Sequence, residues 1–255
     1  MGRALESFQL SGRIAIVTGA SKGLGADLAL ALAEAGADIA LVARGDLSAT
    51  AAAVTALGRR VALVPVDVGG RDAAERILRA VEEQLGPPDI LVNNAGIIRR
   101  APFLEMSEAD WDDVLNVNLR AIFRLSQRFA ARLAARKAPG RIIHIASLLS
   151  FQGGVRVASY AAAKSALAGL TRAMANELAP LGIGVNAIAP GYMATDNTAP
   201  LRADAERHRA ILERIPAGRW GEGADLKGAV VFLASPAAAY VHGVVLPVDG
   251  GWLAR

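Results

Sequence analysis

The stretch RIAIVTGASKGLGADLALALAEAG, residues 13–36, decides the fold. Its first six residues, RIAIVT, are a short aliphatic and β-branched run of the kind buried inside a parallel sheet. GASKGLG follows at once, and ADLALALAEAG then reads as a helix that stops at Gly36. The order is strand, glycine-rich turn, helix. Gly19, Gly23 and Gly25 let the backbone turn tightly and approach a pyrophosphate, which the positive N-terminus of the helix attracts. Any tight strand-to-helix turn favours glycine, so the flanking strand and helix give the motif its meaning.

Working outward, DIALVAR (38–44) reads as a second strand. Its end lies about 20 residues beyond the glycines, where an acid would accept from the ribose 2′-hydroxyl of NAD and an arginine would suit the 2′-phosphate of NADP. The chain has Ala43–Arg44 there and no acid until Asp46. Arg44, with Lys22 in the glycine loop, favours NADP; the plain alternative is a strand-end arginine in water. A helix ending near Leu57–Gly58 leads to a third strand, RVALVPVDV (60–68). Asp67 and Val68 close it, and Asp67 is placed to accept from an adenine amino group. A helix (72–85) leads to DILVNNAG (89–96), a fourth strand running into Asn94, Ala95 and Gly96, which tie down loops or line a cofactor pocket.

Ser107 opens a long helix through the capping pattern SEAD, and the periodicity runs to about Lys137. Asn116 and Asn118 lie within it and need partners. RIIHIAS (141–147) is a fifth strand, GIGVNAIAP (182–190) a sixth, ended by Pro190–Gly191, and GVVLPVDGG (243–251) the last, after the helix GADLKGAVVFLAS. Residues 192–220, with the short helix ADAERHRAILERI, read as an insertion that covers the site as a lid. Strand–helix alternation over 1–255 implies one α/β domain, a doubly wound parallel sheet of the Rossmann kind with helices on both faces.

The chemistry is concentrated in SLLSFQGGVRVASYAAAK (147–164). Tyr160 and Lys164 are four apart on a helical stretch and share a face. A cation near a phenol favours the phenolate, which makes Tyr160 a candidate acid–base. Ser147 can add a second hydrogen bond to an oxygen held by Tyr160. The bland reading is that tyrosine and lysine four apart occur by chance in many helices.

Composition narrows the classes. The 255 residues carry no cysteine, so disulfides and thiolate chemistry are excluded. The net charge is +4, but the arginines are scattered beside acids rather than grouped, which argues against nucleic acid. MGRALESFQL lacks the apolar core of a signal peptide, and LALALAEAGADIALVA is broken by Glu34 and Asp38, so no membrane span is expected and the cytoplasm is the expected location. His144, His208 and His242 show no ligand spacing, and no metal is expected. His144, inside a strand, reads as a core or sheet-edge residue.

TGASKGLG (18–25), NNAG (93–96), NVNL with Asn118, the Ser147/YAAAK spacing and PGYMAT (190–195) together resemble the short-chain dehydrogenase/reductase family over nearly the whole chain. The resemblance implies a nicotinamide cofactor against Gly19, Ser21, Lys22, Gly23, Leu24, Gly25, Asn94, Ala95, Gly96, Pro190, Gly191 and Thr195. It implies a catalytic tetrad of Asn118, Ser147, Tyr160 and Lys164. Tyr160 would transfer the proton, Lys164 would lower its pKa and hold the nicotinamide ribose, and Asn118 would hold a water relaying protons to Lys164. It also implies a homotetramer paired through the long helices. NNAGIIRR, ASLLSFQGGVRVASY, RIPAGRWG and VDGGWLAR are similar to the group of 2-dehydro-3-deoxy-D-gluconate 5-dehydrogenases, which work on keto or hydroxy sugar acids and commonly use NAD; Ala43–Arg44 departs from that preference. A carboxylate on such a substrate suits arginine's planar fork. Arg99, Arg100 and Arg156 are candidates, Arg100 first, with Gln152 for a hydroxyl. A 3-oxoacyl thioester reductase and a non-catalytic NAD(P) sensor are the competing readings.

Overall fold

Ile14–Thr18 forms β1, and all five of its residues are buried, as a central strand covered on both faces requires. The computed structural model describes residues 4–255. The leader reading of MGRALESFQL begins on residues 1–3, outside the described residues. The other strands are β2 (Asp38–Ala43), β3 (Val61–Pro65), β4 (Ile90–Asn93), β5 (Gly140–Ile145), β6 (Ile183–Pro190) and β7 (Val245–Val248). The helices are α1 (Gly23–Glu34), α2 (Ser48–Ala56), α3 (Ala73–Gln84), α4 (Glu108–Leu115), α5 (Ala121–Ala135), α6 (Ala158–Leu178), α7 (Ala199–Ala203), α8 (Ala205–Arg214) and α9 (Ala224–Ala234). No helix among the described residues is long and apolar enough to cross a membrane.

The strands make one parallel sheet in the order β3-β2-β1-β4-β5-β6-β7. Its side chains alternate. Ala15, Val17, Ile39 and Leu41 pack with Leu28 and Leu32 of α1 and Val230 and Leu233 of α9. Ile14, Ile16, Ala40 and Val42 pack on the other face with Ile77 and Leu78 of α3 and Phe129 and Leu133 of α5. Fully burying a side chain such as Leu133 contributes about 1.5–3 kcal/mol, so these two layers dominate the stability. The strand order reverses between β1 and β4, and the crevice beyond their C-terminal ends is where an open sheet of this kind takes a ligand.

Several strands stop short of their sequence limits, and each stop has a cause. β3 ends at Pro65 rather than at 68, because Asp67 turns the chain by accepting from Gly69 N at 2.9 Å. β7 ends before Gly250 and Gly251, both at positive φ. Conversely, α1 starts at Gly23, so Gly23 and Gly25 belong to its first turn instead of the preceding loop. The long helix expected over 108–137 is two helices joined by a π-helical turn, Asn116–Arg120. Its start is as read: Ser107 accepts from Asp110 N. The 192–220 segment carries α7, α8 and a short 3-10 turn, Asp196–Thr198. A bridge between Met193 and Gly221 closes it at both ends.

Candidate active site

The glycine loop is shaped by close backbone contact. A Cβ on Gly25 would stand 2.1 Å from Gly19 O, and one on Gly19 would stand 2.9 Å from Ala95 Cα. Asn94 staples the loop to the end of β4: its Nδ2 donates to Thr18 O at 2.9 Å and to Gly19 O at 3.3 Å. Thr18 Oγ1 in turn accepts from Asn94 N and Ala95 N, both at 3.0 Å. α1 has no side-chain cap, so the amides of its first turn are left for a ligand.

These amides face a cavity of about 720 Å³. Every position named above as a cofactor contact lies on its wall, from Gly19 and Ser21 through Asn94 and Gly96 to Pro190 and Thr195. Arg44 and Asp67 stand at the end beyond β2 and β3, with Arg44 Nη1 3.6 Å from Asp67 Oδ2. Lys22 pairs with Asp196 of the 192–220 segment at 2.6 Å.

Ser147, Tyr160 and Lys164 line the same cavity. β5 delivers Ser147, whose Oγ accepts from Leu149 N at 3.2 Å. Ser150 Oγ donates to Lys164 O and Ser165 Oγ to Leu149 O, which ties the serine's turn to α6. Lys164 Nζ donates to Ile145 O at 2.6 Å and lies 5.5 Å from the centre of the Tyr160 ring. Burial pushes the Lys164 ammonium down to about 8. Burial also pushes the Tyr160 phenol up, while a hydrogen bond with Ser147 and the charge of Arg100 pull against it. Burial outweighs the groups that oppose it, Ser147 and then Arg100, so the net shift of the phenol runs upward and not toward neutrality as expected.

Asn118 is buried behind the cavity wall, and its amide brackets one residue, accepting from Ile97 N and donating to Ile97 O, both at 2.8 Å. It braces the chain beside Gly96. His144 is core, not sheet edge. β5 lies between β4 and β6, Asn93 Nδ2 meets His144 Nδ1 at 3.1 Å, and burial, then the charge of Lys164, push its pKa down to about 3.

The substrate candidates separate. Arg99 faces Asp113 at 2.6 Å and Asp110 at 3.5 Å. Arg100 donates to Asn197 O of the 192–220 segment at 3.0 Å, and its charge reaches Tyr160. Arg156 is exposed at φ +63°, and its carbonyl accepts from Ala101 N. Gln152 Oε1 accepts from Trp252 Nε1 at 3.2 Å. None of Arg100, Gln152 and Arg156 lines the 720 Å³ cavity. Sequence reasoning missed Met193, Asp196 and Asn197, which do. Their signal was only that they follow PGY within the 192–220 segment. Among the described residues no three of His, Cys, Asp and Glu are grouped to hold a metal.

A family profile described as enoyl-(acyl carrier protein) reductase matches residues 19–253. A 2-dehydro-3-deoxy-D-gluconate 5-dehydrogenase of Escherichia coli (strain K12) is 53% identical over 98% of this chain and 99% of its own. One of the same name from Bacillus subtilis (strain 168) is 49% identical over the full length of both. The crystal structure of a gluconate 5-dehydrogenase from Burkholderia cenocepacia J2315, in complex with NADP and tartrate, superposes with a TM-score of 0.93 at 39% identity, covering 99% of this chain and 100% of that one.

Proposed function

The chain belongs to the short-chain dehydrogenase/reductase family, and from that membership we propose that it moves a hydride between NADP, or NAD, and a sugar acid of the 2-dehydro-3-deoxy-D-gluconate or 2-deoxy-D-gluconate type. One observation carries the reading: Ser147, Tyr160 and Lys164 share a cavity with the uncapped N-terminus of α1. The residues present fit a dinucleotide. Free helix amides and glycines without room for a Cβ suit the pyrophosphate, and Lys22 with Arg44 suits a 2′-phosphate.

The bound nicotinamide supplies or takes up the hydride. Tyr160 gives its phenolic proton to the carbonyl oxygen in reduction and takes it back in oxidation. A phenol kept protonated by burial is suited to the first role. Ser147 holds the same oxygen and stabilises its developing charge. Lys164 steadies the phenolate with its ammonium, and Arg100 takes the substrate's carboxylate. Asn118 keeps Gly96 and Ile97 in place on the wall. The sugar-acid names of the relatives and the tartrate in the Burkholderia structure, itself a hydroxy acid, support this substrate class. Residues 192–220 act as the lid of a single nucleotide-binding domain. A cytoplasmic homotetramer belongs to the same reading.

A 3-oxoacyl-[acyl-carrier-protein] reductase of Vibrio cholerae is 41% identical over 95% of this chain, so a 3-oxoacyl thioester is the competing substrate. Oxidation of NADPH and NADH, followed with keto sugar acids and with a 3-oxoacyl thioester, decides between them. The sugar acids should be turned over, and Tyr160→Phe should keep cofactor binding while losing at least about 10²-fold in turnover. Turnover of the thioester alone sinks the sugar-acid reading, and near-normal turnover by Tyr160→Phe sinks the mechanism.

A further inference from the structure

The two cations nearest the expected 2′-phosphate already face carboxylates, and the two carboxylates differ. Asp67 stands 3.6 Å from Arg44 and spends its other oxygen on Gly69 N, so it is fixed at the sheet edge and only loosely engaged with the guanidinium. Asp196 lies 2.6 Å from Lys22, directly on the ammonium, and it belongs to the lid. Both Lys22 and Asp196 line the cavity. Their side chains are 76% and 78% exposed, so the pair can change partners without disturbing anything packed. The turn that carries Asp196 does not depend on its carboxylate. Thr198 Oγ1 accepts from Thr195 N at 3.1 Å and donates to Met193 O at 2.6 Å, and these bonds hold the turn.

We propose that Asp196 is a specificity-determining residue, whose carboxylate competes with the 2′-phosphate of NADP for Lys22 and so moves the choice of cofactor toward NAD. The inference rests on the reading of Lys22 as a phosphate ligand. NADP must separate the pair, and its phosphate then lies beside a carboxylate of like charge; NAD meets neither cost. Discrimination of this kind comes from a repulsive group as much as from an attractive one.

Titration calorimetry of NADP and NAD against the full chain and its Asp196→Asn, Lys22→Ala and doubly substituted variants tests this. Asp196→Asn should tighten NADP roughly two- to fivefold, the scale of an exposed ion pair, and leave NAD unchanged. Asp196→Glu should restore the original ratio. Lys22→Ala should weaken NADP, and in that background the gain from Asp196→Asn should shrink. If Lys22→Ala weakens NADP but Asp196→Asn leaves the NADP/NAD ratio alone, the inference fails and the Lys22 reading stands. A ratio untouched by Lys22→Ala overturns both. Equal gains for both cofactors, or a gain undiminished without Lys22, would mean that Asp196 acts on the lid and does not compete for the ammonium.

Discussion

Lys164 is a buried cation whose charge has a use only while it lasts. It is 3% exposed, its ammonium donates to Ile145 O, and burial brings its pKa to about 8. In the reduction direction the ammonium steadies the phenolate left on Tyr160. The protonated form is present below about pH 8 and lost above it, so kcat/KM for ketone reduction should fall along a limb near pH 8. A pH profile in the reduction direction checks this, and a flat profile to about one unit above that value would remove Lys164 from the role. Arg100 makes a second test. Hydrogen bonds to charged groups contribute about 1.5–3 kcal/mol, so Arg100→Met should cost roughly 10- to 150-fold on a sugar acid and little on a neutral keto sugar. Equal losses on both would make Arg100 a lid support acting through Asn197 O. The residues that sequence reading found here are those set by short spacings. Gly19 to Gly25 lie in one turn, and Tyr160 to Lys164 in one turn of helix. Asp196 was not legible because its partner, Lys22, lies 174 positions away and the pairing exists only once the 192–220 segment packs beside the glycine loop. The effect of burial on Tyr160 was not legible either, since it depends on which elements close around the phenol.

At the scale of elements, the π-helical turn Asn116–Arg120 does most to place the site's floor. A π turn inserts one residue into an α-helical ladder and rotates what it carries, and such turns recur at functional sites. Here it aims Asn118 at Ile97, 21 positions back along the chain, so that one amide satisfies both polar groups of that residue's backbone. Helical periodicity alone gave a single uninterrupted helix over 108–137, because the apolar pattern resumes in α5 and one extra residue leaves little mark on it. Asn118→Leu keeps the branching at Cγ and leaves Ile97 N and O without partners. The cost should be roughly 2–6 kcal/mol, from about 1–3 kcal/mol for each unsatisfied group. Urea unfolding should show the midpoint falling with an unchanged m-value, and turnover should fall with it as Gly96 loses its brace. Stability equal to that of the parent would show that the amide bridge is dispensable.

At the scale of the molecule, the sheet leaves its helices with apolar side chains that it does not cover. Trp111 on α4 and Phe123 on α5 are exposed, and Leu104, just before α4, is 95% exposed. Val155 is also exposed, and the bond from Ala101 N to Arg156 O brings its loop alongside the chain leading to Phe103 and Leu104. Exposed apolar groups mark an interaction surface where they join into one patch, while single ones are ordinary. At the other end of the sequence, Tyr240 is 99% exposed between α9 and β7. Two separate apolar surfaces, each joined to its own copy about a two-fold axis, close into a tetramer. Light scattering should therefore return a particle of roughly four times 26.4 kDa at micromolar concentration. The surfaces can be separated by mutation. Phe123→Asp sets a charge on the helical surface without touching the core, and should leave a dimer held through the surface around Tyr240. Tyr240→Asp should leave the complementary dimer, and the two together a monomer. Because Tyr160 and Lys164 lie on α6, against which α4 packs, the helical surface also supports the site, and Phe123→Asp should lower turnover while Tyr240→Asp leaves it closer to the parent. A parent chain that stays at 26.4 kDa on dilution and on concentration would refute the assembly and return the helical surface to solvent.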